Sequence, residues 1–570
     1  MKIRHIALVV SLFLGVSAFA QHNEEVTIEG AYRPKVNKVD KILLKPETPE
    51  QVFNMPSSKV EVLDTEYRSS LNIDKLPPLA YSSGKGLGDN NAKNFLMAGF
   101  GSRISPIFLF NHNSRITKKM DLSVGLKHFS SWLDIKGYAP SGFMNNAVEV
   151  GLAHRDLNGT RLWGKVYYRN DAYHYYGLKT ADWTLSPVAL AHAAPQQMYN
   201  TIGTRVGWSS TNNQLGRFKH NALFNYHYLF WNVGQGFEHF AQINYDLAYT
   251  DHWWGKKSYP QKVGVAVDAQ YGFNDVYAQN DVSRGLVKLA PYFEMSDEFY
   301  RLHLGVGVDA ASKFDSADDL FGVYPDVKGS LFVLNKTLEF YAGLNGGREW
   351  LTYSDLIREN PFVFMPSKLE IAKVKLGFEG GVRANVLNTV DVHVGVRYRN
   401  VENDCFFRQQ LIPATEGMTV DRPYNSYDLV YDETRTVSVL GNVRWLVMDG
   451  LTLDASFTYH NCDPVREEHA WYRPEMEGSL NVNYQLNDDL SFDASFLYQG
   501  GRWAQYTQTV PPLNVKMRDV YDLGLGANYR IKDQFSVFVK ADNLLVQKYQ
   551  LFYDYPVTGI EVFAGLKLAF

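Results

Sequence analysis

The fold of this chain is indicated most clearly by residues 390–398, which read VDVHVGVRY. Valine occupies every second position of this stretch up to the closing tyrosine, and the residues between are charged, histidine or glycine. Because successive side chains of a β-strand point to opposite faces, this spacing predicts a strand with one apolar and one polar face. The same alternation recurs at 451–459 and 521–529.

About 22 segments of this kind, each roughly ten residues long, follow one another between residues 92 and 570. They begin near residues 94, 106, 119, 144, 160, 197, 218, 236, 261, 283, 298, 321, 337, 370, 389, 426, 450, 474, 489, 517, 535 and 559. The links between them alternate between short ones such as Asp449-Gly450 and long ones such as 175–196, 350–366 and 400–424. Strands of about 9–11 residues can cross a bilayer at a tilt, and barrels built from them have short turns at one end and long loops at the other. The sequence therefore predicts an all-β fold, a transmembrane antiparallel outer-membrane β-barrel of about 22 strands with both ends on the periplasmic side.

The polar face of each predicted strand should line a water-filled lumen, because lipid does not tolerate charged side chains. This assigns a set of strand residues to the lumen. The side chains expected to face it are Asp391, His393, Arg397, Asp454, Asp493, Asp522, Lys540, Glu561 and Lys567.

Composition and motifs exclude several other classes of protein. The 57 Lys and Arg residues are balanced by 61 Asp and Glu residues, so the chain has no excess of positive charge with which to bind nucleic acid. Neither a zinc-binding His-Glu-x-x-His motif nor a Gly-x-Ser-x-Gly nucleophile motif occurs. We therefore expect neither an enzyme nor a resident metal or cofactor.

The two cysteines, Cys405 and Cys462, are expected after the fifteenth strand and at the end of the seventeenth. Both positions lie at the same end of the predicted barrel, on either side of strand sixteen. Two strand spacings of about 4.8 Å each separate them, which is somewhat beyond the reach of a disulfide unless the loops fold inward. A bridge and two free thiols both remain open at this point.

The N-terminus predicts export. Residues 1–20 combine Lys2 and Arg4 with an apolar run and end in Ala18-Phe19-Ala20, which is typical of a cleaved signal peptide. Residues 21–91 then contain six prolines and a glycine-rich stretch, which indicates an extended periplasmic or luminal segment rather than a compact domain.

The C-terminal residues resemble a known family. The stretches 542–545, 555–559 and 560–570 resemble the closing strands of TonB-dependent outer-membrane receptors, and 353–356 with 360–362 is similar to surface-loop sequence of such receptors in the Bacteroides group. The resemblance implies that the barrel-assembly machinery reads Phe570. It departs from the family at Ile560, where an arginine is usual after the glycine.

The front of the chain departs further, because about 70 residues precede the barrel where the family has a larger folded plug, so the plug is missing or truncated. The resemblance also implies contact with outer-membrane lipid and a strand that pairs with TonB. The residues similar to that strand are Glu25, Val26, Thr27 and Ile28. Strand pairing depends little on sequence, so a purely structural strand in the lumen or the periplasm stays open as the alternative for these residues.

Two functions follow from these expectations. The resemblance implies solute or nutrient uptake across the bacterial outer membrane. The alternative is a barrel that does not transport and serves as a subunit or docking platform for a surface lipoprotein or a periplasmic partner. We expect residues 22–91 to lie at least partly inside the barrel as an extended, incomplete plug, with the barrel either narrowed by this segment or sealed by a partner. Deleting residues 22–91 should then raise permeability.

Overall fold

The computed structural model describes residues 93–570, apart from 155–158, 183–184, 211–216, 255–258, 277–281, 313–320, 335, 367–368, 387–388, 413–421 and 508–510. The predicted signal peptide, the segment 21–91 and the TonB-like residues Glu25, Val26, Thr27 and Ile28 lie outside the described residues.

A single sheet of 22 antiparallel strands makes up almost all of the described chain. Each strand pairs with the next one in the sheet, and the first pairs with the last, so the sheet closes into a barrel. Its strands, numbered along the chain, are β1 (Asn94–Gly101), β2 (Ser105–Thr117), β3 (Met120–Ser131), β4 (Phe143–His154), β5 (Thr160–His174), β6 (Gln196–Ser210), β7 (Phe218–Trp231), β8 (Gly236–Asp251), β9 (Gln261–Val276), β10 (Val282–Ser296), β11 (Tyr300–Ala311), β12 (Phe321–Val333), β13 (Leu338–Glu349), β14 (Ala372–Val386), β15 (Val390–Leu411), β16 (Asn425–Met448), β17 (Leu451–Pro464), β18 (Met476–Gln485), β19 (Leu490–Gly500), β22 (Val520–Lys532), β23 (Phe535–Asp542) and β26 (Glu561–Ala569).

The remaining elements lie in the links between barrel strands. Two small hairpins are formed by β20 (Trp503–Tyr506) with β21 (Leu513–Lys516) and by β24 (Gln550–Phe552) with β25 (Tyr555–Pro556). The helices are α1 (Pro187–Ala193) and α2 (Tyr353–Glu359), with a short 3-10 turn at Thr180–Asp182. Among the described residues, no helix is long and apolar enough to cross a membrane.

The barrel closes where its first and last residues meet. The main-chain N–H of Asn94 donates to the carbonyl of Phe570 at 2.8 Å, and the N–H of Phe570 donates back to the carbonyl of Asn94 at 3.0 Å. We call this end of the barrel the turn end, because the links from β2 to β3, β16 to β17 and β22 to β23 lie there and are short. The long links lie at the opposite end, the loop end. The predicted count of 22 strands is confirmed, and every strand begins within about three residues of its predicted start.

The outward face carries aromatic rings at two levels. On β8, the outward-facing His239 stacks on Tyr228 at 4.5 Å near the loop end, and Tyr249 contacts Trp253 at 6.1 Å near the turn end. The ten residues from His239 to Tyr249 rise about 25 Å along the membrane normal at a strand tilt of about 40°. This is the height of the apolar band of an outer-membrane barrel, and the rings mark its two edges.

Two neighbouring strands are longer than a membrane crossing requires. β15 has 22 residues and β16 has 24, so much of the predicted loop 400–424 is strand instead. The two strands continue to pair up to Leu411 and Asn425, above the part of β15 whose valines are exposed. The packing of the loop end, described below, supports this extension.

The structure corrects the prediction for the cysteines. Cys405 lies within β15 rather than after it, opposite Tyr431, whereas Cys462 lies opposite Thr436. The five-residue offset along β16 adds about 16 Å to the two strand spacings, far beyond the limit of about 7 Å between Cα atoms of a disulfide. Both thiols are free, and the bridged alternative is wrong.

Candidate functional site

The loops of the loop end fold together into one buried core. Tyr176 comes from the link between β5 and β6, Phe362 from the link between β13 and β14, Tyr427 from the start of β16, and Tyr555 from the link between β23 and β26. The β5–β6 and β15–β16 links are ten strands apart in a ring of 22, so they start from nearly opposite sides of the barrel. The N–H of Tyr424 in the β15–β16 link donates to the carbonyl of Ala193 in the β5–β6 link at 2.8 Å, so the loops cross the mouth of the barrel rather than standing around it.

The centre of this core is the segment 360–366, which we call the strap. Phe362 is 1% exposed and its ring stacks on Tyr555 with 3.7 Å between centroids. The ring also meets Tyr176 edge-on at 5.6 Å. Val363, the next residue, is completely buried. The strap therefore joins loops from several sides of the barrel in one packed unit.

Tyrosine hydroxyls and main-chain groups hold the strap in place. Tyr175 donates from its hydroxyl to the carbonyl of Val363 at 3.1 Å, and Tyr199 donates to the carbonyl of Pro361 at 3.1 Å. The main chain of the strap also pairs with Tyr427, whose carbonyl accepts from the N–H of Phe364 at 2.9 Å. The main-chain groups of Pro361, Val363 and Phe364 are thus bonded, as a stable core requires.

Helix α2 leads into the strap. Thr352 caps it by accepting a hydrogen bond from the N–H of Asp355 at 3.0 Å, and the Asp355 carboxylate accepts in return from the N–H of Thr352 at 3.1 Å, which forms a capping box. Below the helix, the buried Arg284 donates to the carbonyls of Leu351 and Leu369, which lie near the two ends of this link. One guanidinium therefore clamps both ends of the loop that carries the strap.

A second buried arginine joins two other loops. Arg502 is 2% exposed and donates to the carbonyls of Leu551 at 3.1 Å, Gln550 at 2.8 Å and Arg518 at 3.3 Å. Burial lowers the pKa of Arg502 to about 10, so the side chain stays charged at neutral pH. It ties the β19–β22 link to the β24–β25 hairpin through backbone carbonyls.

An ion pair fixes the upper part of β15 to the β17–β18 link. Arg473 donates two hydrogen bonds of 2.6 Å to the carboxylate of Asp404, which also accepts from Thr434 at 2.7 Å. The Arg473 guanidinium lies 4.5 Å from the ring centroid of Phe406. Bidentate pairs of this kind are stronger and more directional than single surface ion pairs.

The residues predicted to line the lumen lie on strand positions that alternate with exposed apolar ones. On β15, Val394 and Val396 are 50% and 42% exposed, and Asp391, His393 and Arg397 occupy the positions between and around them. His393 is bonded to the hydroxyl of Tyr341 at 2.7 Å. All three side chains have partners on nearby strands.

The other predicted residues also have neighbours on the wall. Four of them lie close enough to interact with one another, because Asp493 interacts with Lys540 and Lys567, and Lys540 with Glu561. Asp454 accepts from Arg444 at 2.6 Å, and Glu561 accepts from Ser105 at 2.6 Å. Further contacts join Lys540 to Asp542 at 3.1 Å, Tyr549 to Asp522 at 2.7 Å and Lys567 to the ring of Phe538 at 5.2 Å, while Asp493 lies opposite Gly526.

Sequence reasoning missed the residues that close the loop end. The stretch 353–362 was assigned to a surface loop, yet its Tyr353, Leu356 and Phe362 are buried. A signal was present, because this loop is unusually rich in large apolar residues for a link exposed to water. Within the described residues, no group of three or more His, Cys, Asp or Glu side chains could hold a metal ion.

Solved structures with this fold are outer-membrane receptors and transporters. The ferric-catecholate import receptor of E. coli K12 is 11% identical, with a TM-score of 0.60 over 84% of this chain and 82% of that one. The pyoverdine outer-membrane receptor of Pseudomonas aeruginosa PAO1 is 12% identical, with a TM-score of 0.62 over 84% and 78%. A copper transporter is 13% identical, with a TM-score of 0.56 over 84% and 80%.

At these identities the likeness establishes the fold. No protein-family model and no curated protein sequence matches the chain. The barrel, its apolar outer band and this likeness place the protein in the bacterial outer membrane.

Proposed function

We propose that this protein takes up a solute across the outer membrane through its lumen and that it belongs to the TonB-dependent receptor family. The observation that carries the proposal is a receptor-type barrel of 22 strands whose mouth is closed by its own loops. A barrel of this width would leak if it stayed open. A closed mouth that opens for one solute is what selective uptake needs.

Several partners go with this proposal. TonB would pair with residues 25–28 and supply the energy for opening, and the barrel-assembly machinery would read Phe570, which is 55% exposed at the turn end. The loop end would face the cell exterior, where a surface lipoprotein could deliver the solute. The inward charges, such as Asp391, Arg397 and Lys540, would keep the path through the lumen polar.

A cross-link that locks the mouth tests uptake. Val363 and Tyr427 are neighbours across a parallel bridge, close enough for a disulfide after both are changed to cysteine in a Cys405→Ser, Cys462→Ser background. Cells carrying only this variant should fail to grow on whichever carbon, iron or metal source needs the wild-type protein, and a reductant should restore growth. Each single cysteine variant serves as the control.

The packing of the loop end also favours a second candidate function. The mouth is closed by a core of buried aromatic rings rather than by a few surface contacts, which suits a rigid platform for a lipoprotein or another subunit. If the cross-linked barrel supports growth as well as the single cysteine variants do, transport through the mouth is rejected. The docking platform is then the function that remains.

A further inference from the structure

The pairing of β1 with β26 differs from the other pairings of the described sheet, because these two strands are the first and the last of the barrel and no link joins them. Residues Phe95–Gly101 pair with Phe563–Ala569. In a hairpin, the length and type of the turn fix the register of the two strands. A slip of two residues keeps every side chain on its face, so alternation alone does not select the register of the closing pair.

Two glycines of β1 receive aromatic rings from the closing strands. Gly99 and Gly101 lie on the same face of β1, and Gly101 is opposite Phe563 of β26. A Cβ atom at Gly101 would come within 2.6 Å of the Phe563 ring, and one at Gly99 within 2.9 Å of the ring of Phe538, which belongs to β23. The two rings therefore occupy the space that side chains at these positions would need. We call Gly99 and Gly101 the glycine slots.

The ring of Phe538 extends across three strands. Phe538 is opposite Gly565 of β26, and Gly565 is opposite Gly99 of β1. A Cβ atom at Gly565 would come within 2.7 Å of the same ring. The ammonium of Lys567 lies 5.2 Å from the centroid of this ring, and Phe538 and Phe563 are only 7% and 5% exposed. Rings buried to this extent cannot move aside without disturbing their neighbours.

The two rings and the two glycine slots fit together in one register. If β26 slipped by two residues so that Gly565 faced Met97, the Phe538 ring would meet the Met97 side chain instead of a glycine. A slip of two residues in the other direction would place Phe563 opposite Arg103, which lies beyond the end of β1. Each ring thus disfavours one direction of slip.

We infer that the glycine slots are the site at which the closing strands recognise the first strand, and that the rings of Phe538 and Phe563 set the register in which the barrel closes. The partner that fits this pair of rings is a strand with glycine at two alternate positions, and β1 supplies it. This role is separate from uptake and holds for any solute that the barrel carries.

A matched arrangement on the opposite side of the barrel shows what is special about the closing pair. The ring of Tyr341 on β13 lies over Gly381 of β14 and Gly395 of β15, and these two glycines are also opposite each other. A Cβ atom at Gly395 would come within 2.6 Å of the Tyr341 hydroxyl. These three strands follow one another along the chain, and only three residues separate β14 from β15. The short link can set that register without the ring.

Cysteine cross-linking measures the register of the closing pair. In a Cys405→Ser, Cys462→Ser background, Leu96→Cys with Leu568→Cys reports the observed register, because these residues are opposite each other. Ala98→Cys with Leu568→Cys reports the slip that places Gly101 opposite Gly565. Positions two residues apart have the same hydrogen-bonding type in an antiparallel pair, so the two reporters are equivalent in geometry. Cross-links are scored on full-length protein that migrates as a folded barrel in an unheated gel.

Gly99→Val fills one glycine slot and leaves the other free. We expect the 96–568 cross-link to fall by about fivefold or more and the 98–568 cross-link to rise, since the slipped register places the Phe538 ring over Gly101. Gly395→Val fills the matching position beneath Tyr341 and is the control. It should keep the wild-type pattern at the closing pair.

A folded Gly99→Val barrel with the wild-type cross-links would overturn the inference, and so would an equal change in Gly395→Val. If Gly99→Val does not assemble, the variant that combines Gly99→Val with Phe538→Ala decides the question. Removing the ring should restore the folded barrel and the 96–568 cross-link, because Phe563 and Gly101 still hold the register. Failure of this variant to recover would show that the ring is not what the glycine accommodates and would reject the assignment.

Discussion

At the scale of single residues, a few buried side chains close the mouth. Phe362 contacts rings from two other loops, Tyr176 and Tyr555, so its packing energy is shared among segments far apart in the chain. Arg284 and Arg502 act differently, because each bonds only backbone carbonyls among its hydrogen-bond partners and fixes where loops begin and end. Removing either kind of residue should destabilise the packed loops at the mouth more than it destabilises the barrel sheet.

Phe362→Ala should open the mouth. Truncating a buried phenylalanine costs about 3–5 kcal/mol, which is enough to loosen a core made of loops. We expect a large rise in single-channel conductance in planar bilayers, with the barrel still assembled. Phe378→Ala, which removes an exposed ring from β14, is the control and should leave conductance low. Unchanged conductance in Phe362→Ala would show that another part of the chain seals the lumen.

Acid should weaken the loop end through Asp404. Burial alone would raise the pKa of this carboxyl, but the hydrogen bonds from Arg473 and Thr434 hold it below its usual value. The ionised carboxylate therefore stabilises the folded loop end above the unfolded pKa of about 4, and this contribution is lost as the pH falls through the lowered pKa. Conductance should rise as the pH falls below about 4.

Asp404→Asn is the matched variant for this pH effect. It cannot ionise, so its loop end should already be weaker at neutral pH, and its conductance should change less on acidification. An equal acid response in the variant and the wild type would assign the effect to other carboxyl groups.

At the scale of elements, the short turns set the register between strands. The Asp449-Gly450 link joins β16 to β17 with Gly450 at a φ of 81°, where a side chain is strained. A Cβ atom there would also come within 2.6 Å of the carbonyl oxygen of Gln485. Both the conformation and the space demand glycine at this position.

Gly450→Ala should lower the free energy of unfolding by about 1 kcal/mol or more. Gly559→Ala is the matched control, because a Cβ atom at Gly559 meets nothing within 4 Å and the residue has no positive φ. Urea unfolding in detergent, followed by tryptophan fluorescence, compares the two. Equal midpoints would mean that the turn tolerates strain.

The extension of β15 explains how the cysteines should react. Burial raises the pKa of the Cys405 thiol to about 12, so little reactive thiolate forms in the folded protein. We expect slow alkylation of Cys405 in the folded barrel and rapid alkylation of both cysteines after unfolding without a reductant. Mass spectrometry that finds either cysteine protected in the unfolded, unreduced protein would contradict the free thiols.

At the scale of the whole molecule, the barrel could be predicted from sequence and its closed mouth could not. Every strand has lipid on one side and the lumen on the other, so the alternation of apolar and polar residues within 390–398 is enough to predict a barrel strand. The core of the mouth joins Tyr176 to Tyr555, which are separated by most of the barrel sequence. Such contacts depend on how distant loops meet, and no repeating pattern in the local sequence predicts them.

Removing two segments, separately and together, should show what seals the lumen. Replacing the strap 360–366 by a glycine-serine linker should raise conductance, whereas deleting residues 22–91 alone should change it little while the loops remain closed. The double variant should conduct most if the N-terminal segment also narrows the lumen. If deleting 22–91 alone gives the full rise, the loops are not the seal.

The two main-chain hydrogen bonds between Asn94 and Phe570 close the sheet into a ring in which no strand is geometrically the first. The main-chain bonds that join these two residues are those of any other pair of neighbouring strands, although the residues stand 476 positions apart. A chain in which a short peptide joins 570 to 94 and new termini open at Asp449-Gly450 would contain the same strand pairs. In geometry the starting strand is therefore arbitrary, and the order of the strands along the chain fixes only which of them is synthesised last and closes the barrel.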